Sequence, residues 1–187
     1  MYPDHSLMPK EAVRLAALAH LAEREMSYRD LATVVRGFIA RIMGPSLDLM
    51  GISIELLRYE GLVASAMSDD EGAKIGTTTD DSRLLHLTDN GRAELRQLLT
   101  ATVRAPFNDI NRLVVALKMR FLGLLTADER RNQADILTAA SETELARLQD
   151  LASENRPGEH SFAAWLAQEI ALVETRLSWL RDFRAGL

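Results

Sequence analysis

The stretch GPSLDLMGISIELLRYEGLV, from Gly44 to Val63, predicts a helix that leads directly into a β-strand. Gly44 and Pro45 end the preceding helix, and the Ser46 hydroxyl can cap the next one by accepting a hydrogen bond from an early backbone N–H. Gly61 ends that helix, and the apolar residues after it favour a strand.

A second strand-like alternation follows at Leu85–Thr88, and Asp89-Asn90-Gly91 then opens another helix. The loop between the two strands, Ser68 to Ser82, is polar and rich in carboxylates. Helix, strand, loop, strand, helix is the order found in the second half of a winged helix-turn-helix domain. In that fold one helix enters the DNA major groove and the hairpin lies near the backbone.

The segments on either side complete the predicted fold, which is mainly α with a small β-hairpin. A first helix begins near Pro9, and Ser27 can cap a second one. Ala105-Pro106 marks a boundary, after which only helical spacing is found. We therefore expect a winged-helix domain at 1–104 and an all-helical dimerisation domain at 105–187.

The helical half contains a capping box and a last helix with two apolar stripes. Thr126 and Glu129 have the spacing of the box, so a new helix is predicted there. One stripe of the last helix consists of Phe162, Leu166, Ile170, Val173, Leu177 and Leu180. Trp165, Leu172 and Trp179 form the second stripe, which we assign to a dimer interface, although the two tryptophans could instead line an effector pocket.

Composition indicates a soluble globular protein and argues against several other classes. Of 187 residues, 47% are hydrophobic and 26% are charged. Neither a membrane-length apolar run nor a secretory signal is seen, so a cytoplasmic location is expected. The four histidines lack ligand spacing, and the chain has no cysteine, cofactor-binding motif or nucleophile elbow. We therefore expect no metal site, no cofactor and no enzymatic activity.

The net charge of −5 means that a DNA-binding surface would have to concentrate its cations locally, because Lys and Arg neutralise phosphates. Arg29, Arg36 and Arg41 on the second helix are either such phosphate contacts or simply a solvated helix face. The candidate DNA-contact residues are Tyr28, Arg29, Arg41, Ser46, Ser53, Lys74 and Arg83.

In its motifs the chain resembles the PadR family of transcriptional regulators. The family's recognition helix closes in Gly-Leu-Val, here Gly61 to Val63, and its second wing strand runs into Leu-Thr-x-x-Gly, here Leu87 to Gly91. Its helical half looks like the segment from Phe121 to Arg130, with Trp179-Leu180 near the end of the last helix. The resemblance implies a homodimer joined through C-terminal helices, a two-fold DNA operator and often a small aromatic effector.

The recognition helix departs from the family pattern. Gly51 occupies the usual tyrosine position, Glu55 and Leu56 replace a basic pair, and Arg58 replaces an acidic residue. Four side chains, Leu49, Ile52, Leu56 and Tyr59, would form a second apolar stripe on this helix. An alternative hypothesis is therefore a degenerate winged helix that binds a protein partner instead of DNA.

Overall fold

The computed structural model describes residue 7 and residues 9–44, 54–65, 83–103, 109–153 and 160–187. Within these ranges the chain forms seven α-helices and three short strands. The helices are α1 (Pro9–Glu23), α2 (Tyr28–Met43), α3 (Ile54–Tyr59), α4 (Asp89–Thr100), α5 (Asp109–Arg120), α6 (Ala127–Ser153) and α7 (His160–Ala185). The strands are β1 (Met26–Ser27), β2 (Val63–Ser65) and β3 (Leu84–Leu87). The predicted mainly helical fold with a small antiparallel hairpin is confirmed.

The sheet contains one strand that the sequence did not predict. β3 lies in the centre and pairs antiparallel with β2 on one side and with β1 on the other. In the β1 pairing, Met26 is opposite Leu85 and Ser27 is opposite Leu84. A two-residue strand has no alternation of its own to detect, so only its distant partner defines it.

Several predicted helix ends are confirmed in atomic detail. The Ser27 hydroxyl accepts a hydrogen bond from the Asp30 N–H at 3.1 Å, and Gly44 ends α2 with a φ of 82°. At the start of α6, the Thr126 N–H donates to a Glu129 carboxylate oxygen at 3.0 Å, which completes the capping box. This backbone hydrogen bond is the main reason that the pKa of Glu129 is lowered.

Two helices end earlier than the helical spacing of the sequence indicates. α4 ends at Thr100, and α5 ends at Arg120. A 3-10 turn, Leu122–Leu124, follows. The apolar repeat continues through this turn because Phe121, Leu122 and Leu125 are buried in the core, although Leu124 is exposed, so periodicity alone does not reveal the break.

The core is built around α1, whose residues from Ala12 to Leu21 are buried except for Arg14. α1 packs against α2, α4, α5 and β3. α5 therefore belongs to the same apolar cluster as the winged-helix elements, although it follows the predicted boundary at 104/105. The division into 1–104 and 105–187 stays a prediction.

Thr88 joins the end of α3, the predicted recognition helix, to the start of α4. Its hydroxyl donates to the Gly61 carbonyl at 2.7 Å and accepts from the Gly91 N–H at 3.0 Å. Its backbone N–H donates to the Leu62 carbonyl at 3.2 Å. Gly91 packs so closely against that carbonyl that a Cβ atom there would overlap its oxygen. The Gly-Leu-Val and Leu-Thr-x-x-Gly motifs are thus the two halves of one contact.

Gly91→Ala should therefore destabilise the protein, because the new methyl group forces α4 away from Leu62. We expect the free energy of unfolding to fall by about 1–3 kcal/mol, the usual cost of overpacking. Gly37→Ala is the matched control, since a Cβ at this helical glycine would meet nothing within 4 Å. Urea denaturation of both variants tests this, and equal stabilities would contradict the close contact.

Lys118 of α5 is buried, with 1% of its surface exposed, and its ammonium group caps the C-terminal end of α4. The Nζ atom donates to the carbonyls of Leu99 and Ala101, both at 2.6 Å, and to Gln133 Oε1 at 2.8 Å. Gln133 of α6 donates in turn to the Thr100 carbonyl at 3.0 Å. A cation suits this position because the last carbonyls of a helix lack partners and carry partial negative charge.

Burial lowers the pKa of Lys118 from 10.5 to about 7, so stability should depend on its titration. Between these values the unfolded chain binds more protons than the folded chain, and stability therefore rises with pH across that window. The rise has an upper limit of about 1.4 kcal/mol per pH unit.

Lys118→Met has no such group, so the difference in unfolding free energy, wild type minus variant, should grow from pH 7 to pH 9. The difference should be flat below pH 6, where the lysine is charged in both states. Urea titrations at four pH values measure it, and a difference that does not change from pH 7 to pH 9 would show that the lysine does not titrate in this window.

Candidate nucleic-acid interface and ligand cleft

Three of the predicted DNA-contact residues are brought together by the pairing of β1 with β3. Ser27 is opposite Leu84, so Tyr28 and Arg29, which follow Ser27, and Arg83, which precedes Leu84, leave the sheet at the same end. Tyr28 is half-buried and packs against the core, whereas Arg29 and Arg83 are exposed. The start of α2 and the start of the second wing strand therefore share one edge of the domain.

The remaining predicted contacts do not join this edge. Arg41 is exposed at the other end of α2, twelve residues from Arg29, which corresponds to about 18 Å of helix. Ser46, Ser53 and Lys74 lie outside the described residues, as do Leu49, Ile52 and the wing loop. For these residues the predictions stay as predictions.

α2 presents a row of cations that meets no carboxylate among the residues the structure describes. Arg29 and Arg36 are seven residues apart, so they lie on the same helix face, and both are exposed, as is Arg41. Other arginines are paired: Arg14 with Glu60 at 2.7 Å and Arg120 with Glu23 at 2.8 Å, for example. The α2 arginines are thus available to an anionic partner.

The recognition helix exposes apolar surface. Leu57 is buried, but Leu56 is 44% exposed and Tyr59 is 90% exposed. Leu84 of β3 is also largely exposed. The predicted second stripe is therefore solvent-facing at both of its described positions.

α6 and α7 pack along each other as a helical hairpin tied by ion pairs. Arg184 bonds to Asp135 at 3.0 Å, and Arg176 bonds to Glu144 at 2.9 Å. The first α7 stripe faces α6, with Leu166, Val173, Leu177 and Leu180 buried. The second stripe, Trp165, Leu172 and Trp179, is 52%, 51% and 51% exposed. Phe162, the first member of the first stripe, is 39% exposed and stacks on Trp165, so the predicted stripes are separate only from Leu166 onward.

A cleft of about 490 Å³ opens between α5 and this hairpin. Its walls are Arg112, Val115, Ala116, Leu137, Arg176, Trp179 and Leu180. Two guanidinium groups beside an indole and aliphatic side chains suit a ligand with an apolar body and an anionic group. Sequence reasoning considered Trp179 for such a pocket but missed Arg112 and Arg176, since three different helices bring these residues together.

Neither a metal-binding cluster nor a membrane-spanning helix is found among the described residues. In the described ranges, no three histidine or carboxylate side chains converge on a point where a metal ion could be held. No described helix is both long enough and apolar enough to cross a membrane.

Comparison with known proteins finds one family model and several solved structures. The model described as "Putative AphA-like transcriptional regulator" matches residues 2–184. Bacillus subtilis PadR in complex with operator DNA is 21% identical, with 92% of this chain and 96% of that chain covered and a TM-score of 0.36. The same protein in complex with p-coumaric acid is 17% identical, with 94% of this chain and 98% of that chain covered and a TM-score of 0.38. The protein smu.1604c from Streptococcus mutans is 14% identical, with 92% of this chain and 98% of that chain covered and a TM-score of 0.37. No curated protein matches the chain.

Proposed function

Because the chain belongs to the AphA-like transcriptional regulators, we propose that it binds a two-fold DNA operator as a homodimer and is released by a small aromatic acid. Membership of this family confirms the predicted PadR-type regulator and the prediction that the protein is not an enzyme. The operator, the dimer and the effector are our proposals, and each has its own support.

The observation that carries the DNA-binding proposal is the row of exposed arginines on α2. Arg29 and Arg83 are exposed at the edge where α2 and the wing strand meet, and Arg36 is on the same α2 face as Arg29. Winged helices place the wing near the DNA backbone, so cations on this edge would neutralise phosphates. Such contacts position the domain, whereas sequence preference must come from α3 and the residues before it.

If the protein binds a specific operator, a selection of bound DNA fragments from a genomic pool should enrich a palindromic consensus sequence. On the best fragment, Arg29→Ala/Arg36→Ala/Arg41→Ala should weaken binding at every salt concentration. The slope of log affinity against log salt should also become shallower, by about 0.9 for each arginine that neutralises a phosphate in the wild type. Fluorescence anisotropy measures both effects.

Arg147→Ala is the matched control, because Arg147 is an exposed arginine on α6 and far along the chain from the winged helix. It should leave affinity and slope unchanged. Equal slopes for the wild type and the triple variant would show that another face of the domain meets DNA.

The exposed stripe on α7 supports the homodimer. Trp165, Leu172 and Trp179 are spaced symmetrically about Leu172, so the stripe is complementary to itself across a two-fold axis at that residue. An antiparallel pairing of the two α7 helices opposes their dipoles and keeps Arg181 and Arg184 of the two copies apart. Trp165 of each copy then faces Trp179 of the other. This would remove from water three large side chains that one chain leaves half exposed.

Leu172→Glu should convert the dimer to monomers, because it places a carboxylate on the two-fold axis, where its symmetry mate repels it. Sedimentation velocity measures the change. Ala167→Glu adds the same charge at an exposed α7 position on another face of the helix, and it should stay dimeric. A Leu172→Glu variant that sediments as a tight dimer would refute this interface.

The α5/α6/α7 cleft supports the effector. Its volume of about 490 Å³ is within the range of small-molecule sites, and its two arginines would bind a carboxylate beside the Trp179 ring. The similar PadR structure contains p-coumaric acid, which makes that compound a sensible first probe.

One observation favours a second candidate function, in which α3 binds a protein. Leu56 and Tyr59 are apolar and exposed where a DNA reader more commonly carries polar groups. If the fragment selection enriches nothing while Leu56→Asp abolishes association with a protein partner, this candidate replaces the operator.

A further inference from the structure

Trp179 belongs to two surfaces at once. Its ring forms part of the wall of the α5/α6/α7 cleft, and it is also the last member of the exposed α7 stripe. It is held by a stacking contact with Phe183, with ring centroids 5.2 Å apart and planes at 13°. The cleft and the proposed dimer interface therefore share a side chain.

A second copy seated on the stripe would also cover the mouth of the cleft. In the antiparallel pairing, Trp165 of the second copy lies against Trp179. Arg176, four residues after Leu172, is on the adjoining face of α7 and faces the same neighbour. The second copy thus adds an aromatic wall beside the two groups that a ligand would contact.

The charges in the cleft determine whether a bound ligand strengthens or weakens the dimer. Arg112 is exposed, and Arg176 is two-thirds buried with Glu144 as its partner. Glu144 already compensates the charge of Arg176, whereas Arg112 meets no carboxylate among the described residues. Covering Arg112 with the apolar face of a second copy therefore costs desolvation unless a ligand supplies an anion. An empty cleft opposes dimerisation for this reason, and an anionic ligand beside Arg112 relieves the opposition.

We propose that the cleft is completed by the second subunit and that an aromatic acid in it strengthens the dimer, with Trp179 as the shared wall. The coupling is reciprocal, so the dimer must also bind the ligand more tightly than the monomer does. This inference rests on the proposed homodimer and effector, and it adds the link between them.

The absence of cysteine from the chain allows a test that does not require the natural ligand. Ala116→Cys places the sole thiol in the cleft wall. Reaction with 5,5′-dithiobis(2-nitrobenzoic acid) joins a thionitrobenzoate, an aromatic carboxylate, to that sulfur through a disulfide and releases one thionitrobenzoate ion. Ala93→Cys, at an exposed position on α4, carries the same label away from the cleft.

Sedimentation equilibrium then gives the dimer dissociation constant before labelling, after labelling and after reduction with dithiothreitol. We expect the label at residue 116 to tighten the dimer at least tenfold and reduction to reverse this. The label at residue 93 should have no effect. Arg112→Gln in the Ala116→Cys background should remove most of the gain, because the carboxylate then lacks one of its two cations.

The possible negative results distinguish a failure of the coupling between ligand and dimer from a failure of the proposed homodimer. A dimer that is unchanged or weakened by the label at residue 116 overturns the coupling but leaves the homodimer standing. A chain that stays monomeric at all concentrations, with the label at residue 116 as well as without it, overturns the homodimer and the coupling together. If Ala116→Cys does not fold, Val115→Cys presents its thiol to the same cleft. A thiol that the reagent cannot reach at either position overturns the cleft as a site for aromatic acids.

Discussion

The contact between Thr88, Gly91 and the Gly61-Leu62 carbonyls is the constraint on which the winged helix depends. It fixes the end of α3, the start of β2 and the start of α4 against one another through three hydrogen bonds. The missing side chain at Gly91 is what lets α4 approach the chain at Leu62. Since β3 is central in the sheet and ends directly before Thr88, the wing strands and the first turn of α2 are positioned by the same contact.

A second polar contact, at Lys118 and Gln133, joins this domain to the helical hairpin. The last carbonyls of α4 are buried, and their partners come from α5 and α6 rather than from water. An uncapped helix end in that position would leave several acceptors unsatisfied. The connection is polar and directional, so it holds α6 at a defined place relative to the winged helix.

Two features of the described surface are candidates for binding: the exposed arginines of α2 and the exposed apolar side chains. The arginines of α2 meet no described carboxylate, whereas Arg14 of α1, Arg120 of α5 and two arginines of α7, Arg176 and Arg184, form ion pairs with carboxylates outside their own helices. Thus a chain of net charge −5 still has a local cationic edge for phosphates. Exposed apolar side chains lie on α3, on β3 and on α7, and in our proposal the α7 stripe provides both the dimer contact and the lid of the ligand cleft.

The sequence by itself determined the features that arise from residues close together in the chain. Ser27, Gly44 and Gly61 mark helix ends, and Thr126 with Glu129 caps α6, because these interactions span only a few residues. The two stripes of α7 were equally readable from helical spacing. Only the tertiary structure decided the pairing of β1 with β3, the burial of Lys118, the packing of α5 on α1 and the arginine-lined cleft. These depend on contacts between residues far apart in the chain, which carry no periodic signal, and a lysine in particular is expected at the surface until the acceptors around it are known.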